Sequence, residues 1–224
     1  GNAGFGSTVW RSLDAGGTWV KVFLGTAFNF VTSIEIVEDG TDQTMVASYD
    51  DASGTNLAGA LRSVDGGADW TPALTGLPSA FLRQPKLCAS PTEVQTFFMS
   101  ASNAGNQGMV FRTDDAAQSW SQTAWAGGGG IPSDIACDPV DDQVLYISEW
   151  GPPKVARSDD QGATFAPFDT GLDAAGGPTA LAVAHVAGSD DTRLLLSTSH
   201  GSFATPTSVV SDRIFADGFE SPPR

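Results

Sequence analysis

Arg11-Ser-Leu-Asp-Ala-Gly-Gly-Thr-Trp19 is the stretch from which the architecture can be read, because the chain returns to it three times. The copies are Arg62-Ser-Val-Asp-Gly-Gly-Ala-Asp-Trp70, Arg112-Thr-Asp-Asp-Ala-Ala-Gln-Ser-Trp120 and Arg157-Ser-Asp-Asp-Gln-Gly-Ala-Thr-Phe165. Each has a chemistry suited to a tight turn. A Ser, Thr or Asp side chain accepts hydrogen bonds from backbone N–H groups a few residues on. Glycine supplies backbone angles that other residues avoid. The closing Trp or Phe turns back toward a core and anchors the strand it opens. The Arg that leads each copy recurs in all four, so it reads as a position of the repeat and not as a catalytic guanidinium.

The aspartates fall at Asp14, Asp65, Asp115 and Asp160, at intervals of 51, 50 and 45 residues. A period near this length, made of several short strands, is the signature of a propeller blade. Short strands flank each copy: Thr8 to Arg11, Gly59 to Arg62, Met109 to Arg112 and Lys154 to Arg157 before it, and a strand opened by the aromatic after it. Between copies lies a second hairpin. Its first strands are Thr32 to Val37, Gln84 to Ala89, Asp134 to Cys137 and Thr179 to Ala184; its second are Thr44 to Tyr49, Thr96 to Ala101, Val144 to Ser148 and Arg193 to Thr198. With the strands of a blade named A to D, the motif is the C–D turn. No stretch keeps a 3.6-residue period, so the predicted fold is all-β, four to five four-stranded antiparallel blades.

The Ser/Thr-x-Asp-x-Gly-x-Thr/Ser-Trp/Phe pattern resembles the Asp-box (BNR) repeat. It is similar to the blades of sialidases, Vps10-like sorting receptors and xyloglucan-hydrolase-type glycosidases, and Asp138-Pro before Val144-Leu-Tyr146 is shared with the latter two groups. The resemblance covers roughly residues 5 to 205. It implies a structural role for Ser12, Asp14, Gly16 and Trp19, for Ser63, Asp65, Gly67 and Trp70, for Thr113, Asp115 and Trp120, and for Ser158, Asp160, Gly162 and Phe165. Asp69 stands where Thr or Ser is usual, and Ala117 replaces the glycine; both suggest turns kept for shape.

The strands predicted are two (C and D), three sets of four, and three more, the last being Gly201 to Thr205. Seventeen strands leave two alternatives. Either the ends share a blade and close a small ring, or residues 1–210 form the C-terminal arc of a larger propeller whose further blades precede Gly1. The latter is the favoured expectation, since the chain opens inside a repeat and without Met or a signal peptide. The tail, residues 211–224, belongs to no blade. Its Ile214-Phe-Ala-Asp-Gly-Phe-Glu220 resembles a short C-terminal sequence of exported proteins from Xanthomonas-like bacteria, which implies a secreted, extracellular or periplasmic bacterial protein. The alternative reading is a hook packed on the last blade.

The formal net charge is −15. A surface this acidic repels phosphate backbones, so nucleic acid is excluded as a partner. No apolar run is long enough for a membrane span. Cys88 and Cys137 permit one disulfide. They lie three and two residues before Pro91 and Pro139, so period-2 alternation points them to opposite sheet faces. Two buried thiols are therefore expected, with an inter-repeat disulfide as the alternative. No cofactor is expected. The Asp-Asp pairs at Asp50, Asp114, Asp141, Asp159 and Asp190 could bind Ca²⁺, but none has EF-hand spacing and solvated turns are the favoured reading.

Topology puts the A–B and C–D turns on one face and the B–C and D–A connections on the other. The non-repeating residues gather on the second. Trp125 and Trp150 are the two tryptophans outside the repeat, on connections flanking the same blade. Glu149, Asp50, Asp51 and Arg83 join them as ligand-binding candidates, with Phe28, Phe30, Phe81 and Gly127 to Gly130 nearby; capping of the core is the structural alternative. The function expected is an exported, non-catalytic propeller that binds a protein or glycan through this face. The alternative is a glycoside hydrolase, or its C-terminal part, with Glu149, Asp50, Asp51 and Asp173 as the carboxyls. A sialidase is not expected: outside the four motif arginines only Arg83 and Arg193 lie in the blades, and the Arg-Ile-Pro element of sialidases is absent. A fluorogenic sialoside should therefore remain intact with this chain; release of the fluorophore would overturn that reading.

Overall fold

The computed structural model describes residues 8–24, 29–40, 42–51, 58–78, 82–123, 130–151, 155–172, 177–185, 192–199 and 201–206. These form seventeen strands and no helix. β1 (Thr8–Arg11) and β2 (Val20–Leu24) make a two-stranded sheet. Three four-stranded sheets follow: β3 (Asn29–Asp39), β4 (Asp42–Asp51), β5 (Gly59–Ser63) and β6 (Thr71–Pro72); β7 (Arg83–Ala89), β8 (Phe97–Ser102), β9 (Gly108–Thr113) and β10 (Ser121–Gln122); β11 (Ile131–Cys137), β12 (Leu145–Trp150), β13 (Val155–Ser158) and β14 (Ala166–Pro167). A three-stranded sheet closes the series with β15 (Pro178–His185), β16 (Thr192–Thr198) and β17 (Gly201–Pro206). Every pairing is antiparallel between consecutive strands. The fold is a β-propeller of four-stranded blades, with the strand pattern the repeat predicts. The outermost strands are the shortest; Pro72 and Pro167, which cannot donate to a ladder, sit on these edges.

The repeated turn is built the same way four times. The Ser or Thr hydroxyl bonds the Asp two residues on: Ser12–Asp14 2.8 Å, Ser63–Asp65 2.8 Å, Thr113–Asp115 2.7 Å, Ser158–Asp160 2.8 Å. That hydroxyl also accepts the N–H of Gly16, Gly67, Ala117 or Gly162. The Asp accepts the N–H four residues on, from Thr18, Asp69, Ser119 or Thr164. In three copies the hydroxyl of that same residue adds a second bond, at 2.7, 2.6 and 2.6 Å. Asp69 has no hydroxyl, and there both oxygens of Asp65 take the one N–H, each at 3.0 Å. These bonds hold the Asp14 carboxyl down at about 2, the Thr18 hydroxyl contributing most. Two consecutive residues in each turn have positive φ. Ala117, at 62°, holds the left-handed conformation that its glycine counterparts reach without steric cost.

The core is three apolar layers between successive sheets. The first joins Val46, Ala60 and Ala73 to Leu87, Met99, Phe111 and Trp120; the second joins Phe98 and Val110 to Ile135, Leu145 and Ile147; the third joins Tyr146 and Val155 to Leu181, Leu194 and Leu196. Polar ties reinforce the stack. The repeated Arg reaches the next blade's turn: Arg11 donates to the Gly66 carbonyl, and Arg62 to the Ala116 carbonyl at 2.6 Å. The closing aromatic reaches the preceding blade, the Trp120 indole N–H donating to the Ala73 carbonyl at 3.0 Å. Trp120 is buried as expected of an anchor, but Trp19 is exposed: among the described residues no sheet covers its side of the two-stranded unit.

Cys88 and Cys137 are joined in a disulfide, their Cα atoms 5.6 Å apart, so the expected thiols are not present. The opposed orientations inferred from alternation are the reason. Sheets stack face on face, so the side of β7 that faces β11 meets the opposite side of β11. Side chains that point oppositely within equivalent strands thus meet across the interface, where Cys88 and Cys137 pack with Phe98 and Leu145. The bridge closes a loop of 49 residues. Its removal in a Cys88→Ser, Cys137→Ser double variant should cost about 3–4 kcal/mol and lower the thermal midpoint by several degrees; a midpoint unmoved by reductant would show that the bridge is not formed.

Candidate functional site

The two ends of the strands differ in chemistry. At one end lie the repeated turns and the A–B turns, tied together by Thr92 to Asp142 (2.9 Å), Thr96 to Asp114 (3.0 Å) and the Ala116 N–H to the Gln95 carbonyl (2.9 Å). The aspartate pairs are largely spent here: Asp114 pairs with Arg112 and Asp159 with Arg157, while Asp115 and Asp160 hold turns. Among the described residues no group of three or more His, Cys, Asp or Glu is arranged to hold a metal ion.

Trp150, Asp50 and Arg83 lie at the opposite end. Trp150 ends β12 and pairs with Ile131; its side chain is 52% exposed. Its indole lies against Gly177, at the start of the next blade's inner strand, and a methyl group on that glycine would overlap the ring. Gly130 permits an equally close approach: a methyl group there would overlap the Trp150 carbonyl and crowd the Glu149 carboxylate. Both glycines are required by packing, a role the sequence alone did not assign to them. Glu149 points the other way along the strand and is fully buried, so it does not stand beside Trp150 on the surface.

Two blades away, Asp50 pairs with Phe30 in the β3–β4 ladder and accepts the Gln84 N–H at 3.1 Å, linking two blades at this rim. Gln84 holds a positive φ of 49° to make the bond. Arg83, exposed, opens β7 opposite Ser102. Trp125, Phe28, Phe81, Gly127, Asp173 and the side chain of Asp51 lie outside the described residues. The structure thus puts Trp150, Asp50 and Arg83 on one rim and separates Glu149 from them by burial.

A second constellation was not anticipated. The inner strands β3, β7, β11 and β15 lie side by side in that order. They border a groove of about 710 Å³ lined by Glu35, Leu87, Asp134, Ala136 and Leu181, among others. Glu35 and Asp134 are both largely withdrawn from water. Burial, with the Asp134 charge adding to it, pushes the Glu35 carboxyl up to about 7. Burial also raises Asp134, against the opposing pull of the Leu181 and Ile135 N–H groups and the Lys86 ammonium. Lys86 donates to the Thr32 carbonyl at 3.0 Å, and Asp134 accepts the Leu181 N–H at 2.9 Å, so each bridges neighbouring inner strands. The one sequence signal was a Glu between Ile34 and Ile36, in a strand otherwise apolar at that level.

The sequence matches no protein-family model and no curated protein. Solved structures similar to it include a GH74 xyloglucanase from Xanthomonas campestris, with a TM-score of 0.56 and 20% identity over 89% of this chain and 31% of that one. A GH74 enzyme from Niastella koreensis gives 0.55 and 15% over 79% and 28%. An α-L-arabinofuranosidase from Fusarium graminearum gives 0.53 and 13% over 85% and 62%. At these identities the likeness is one of fold. The chain spans about a third of the GH74 proteins and under two thirds of the arabinofuranosidase.

The raised Glu35 sets a sign for pH dependence. An unfolded Glu loses its proton near 4.5, the folded one near 7. Folding therefore loses stability as pH rises through that window, and the loss is complete above it. Glu35→Gln should remove this dependence, raising the thermal midpoint by a few degrees (about 1 kcal/mol after allowing for the carboxyl's partial exposure) at pH 8 while leaving pH 4.5 nearly unchanged. Equal effects at both pH values would refute the assignment.

Proposed function

We propose that this chain is an exported propeller that binds a glycan without hydrolysing it, through the rim formed by the B–C and D–A connections. The observation that carries this reading is the indole of Trp150, half exposed and seated on Gly177. An aromatic face held in water by packing beneath it has a free surface on which the C–H face of a pyranose or furanose can stack. Asp50 and Arg83 on the same rim supply an acceptor and a donor for sugar hydroxyls, and the strand topology read from the sequence adds Trp125 and Asp51, which lie outside the described side chains, as further candidates. The similar structures are enzymes that act on xyloglucan or on arabinofuranosides, which favours a glycan over a protein as the ligand. In this reading the four repeated turns are Asp-boxes: scaffolding on the face away from the ligand.

Absence of catalysis rests on the placement of the rim carboxyls. Glu149 is fully withdrawn from the surface that carries Trp150, and Asp50 is engaged by the Gln84 N–H. A glycosidase needs two carboxyls about 5 to 9.5 Å apart across the scissile bond. A second reading, hydrolysis, is favoured by the groove, where Glu35 has the proton affinity of a general acid at neutral pH and Asp134 lies within electrostatic reach.

A glycan array followed by titration of the hits tests the first reading. Trp150→Ala and Trp125→Ala should each weaken binding at least about tenfold while the far-UV spectrum stays unchanged. Binding unaffected in both variants would remove the proposed surface. Release of reducing ends from xyloglucan or arabinan by the wild type, lost in Glu35→Gln, would instead establish hydrolysis.

A further inference from the structure

The repeated Arg is accommodated in two ways. Arg112 and Arg157 stand opposite an aromatic residue in their ladders, Phe98 and Tyr146. Each guanidinium lies over that ring, 5.8 Å from its centre. Each also pairs with the Asp two residues on, Arg112 with Asp114 at 2.7 Å and Arg157 with Asp159 at 2.5 Å. Ring and carboxylate together offset a charge that is half-buried in both blades.

Arg62 occupies the same register position and has neither. Its ladder partner is Val46, and two residues on stands Val64, 58% exposed. The Arg62 Nε donates to the Ala116 carbonyl at 2.6 Å, and among the described residues no carboxylate pairs with the guanidinium. This half-buried cation borders a cleft of about 350 Å³ between the sheets β3–β6 and β7–β10, at the end that carries the repeated turns. Val64, Asp39, Gln43, Gln95 and Gln118 line the cleft with it. The Gln43 amide is held by Glu38 at 2.7 Å and the Gln118 amide by the Asp115 carbonyl at 3.0 Å, so two of the three amides are fixed before anything binds.

We propose that this cleft binds one uronic acid residue, whose carboxylate takes the place beside Arg62 that Asp114 and Asp159 take beside their own arginines. A planar guanidinium matches a carboxylate through paired N–H bonds. The amides and Asp39 supply donors and acceptors for ring hydroxyls, and Val64 an apolar contact for the C–H face. The volume stands at the lower end of small-ligand sites, about 300–1,000 Å³, which suits a single sugar ring. The net charge of −15, with Asp39 in the wall, disfavours a ligand that carries several negative charges. The cleft lies at the opposite end of the strands from Trp150, so it is a second site and does not depend on the reading of that rim.

Titration calorimetry on the full chain in about 0.15 M salt, with D-galacturonate and D-glucuronate, tests this; galactose and glucose are the uncharged counterparts. At least one uronate should bind, at least about tenfold more tightly than its neutral counterpart. Val64→Asp gives Arg62 the internal carboxylate of the later copies, so it should weaken that binding at least about tenfold without lowering the thermal midpoint. Arg62→Gln should weaken it as much, and the uncharged Val64→Asn should leave it within about twofold. Should Arg62→Gln fail to fold, the two Val64 variants still decide. No uronate binding by the wild type, or undiminished binding by Val64→Asp, would overturn the proposal. Binding lost in Trp150→Ala but kept in Val64→Asp would place the sugar on the rim and overturn it equally. Equal affinity for N-acetyl-aspartate would overturn the sugar assignment in favour of an acidic peptide.

Discussion

An ionised carboxylate bonded to its own backbone is the interaction on which the blades depend. In each repeated turn the Asp and the preceding hydroxyl take up N–H groups that the reversal removes from the ladder. Backbone donors left without partners would cost more than the turn could return. With those donors satisfied, two residues can hold a left-handed conformation, the chain reverses in a few residues, and the closing aromatic is aimed at the preceding sheet. Trp120 shows the full consequence, with its ring in the core and its N–H on the Ala73 carbonyl.

The stack follows from that aim. Each blade has an alternating pair of apolar sides, and neither can stay wet over its whole extent. The three layers between sheets cover them, and the repeated Arg and the Cys88–Cys137 bridge fix the sheets at the turn end and near the inner strands. This division frees the opposite rim. Its residues stand outside the repeat: Arg83 and Trp150 are exposed there, and Asp50 ties two blades through the Gln84 N–H. The inner groove is different. Glu35, Lys86 and Asp134 sit on strands the stack requires, and their charges are tolerated only with backbone partners or a retained proton.

The strand order and the antiparallel four-stranded blades were legible in the sequence, because side-chain period and turn chemistry are local properties. So was the structural role of the repeated Arg, although its partner, a carbonyl in the next blade's turn, was not. Three features escaped. The Glu149 side chain was grouped with Trp150 since they are adjacent, but adjacent residues of a strand point to opposite sides. Gly130 and Gly177 read as loop residues, and only the packed structure shows the Trp150 backbone and ring occupying the space of their missing side chains. Glu35 and Asp134 lie about a hundred residues apart and meet electrically only because β3 and β11 flank one groove.

The sequence by itself determined the repeat, the all-β blades and the direction in which each strand residue points, since these depend on contacts within some ten residues. Which partner a residue meets was decided by the tertiary stack. Cys88 and Cys137 show the difference most plainly. Alternation correctly places them on opposite sides of equivalent strands, and read within one sheet that keeps them apart. Face-to-face stacking turns the same opposition into contact, because the trailing side of one sheet is covered by the leading side of the next.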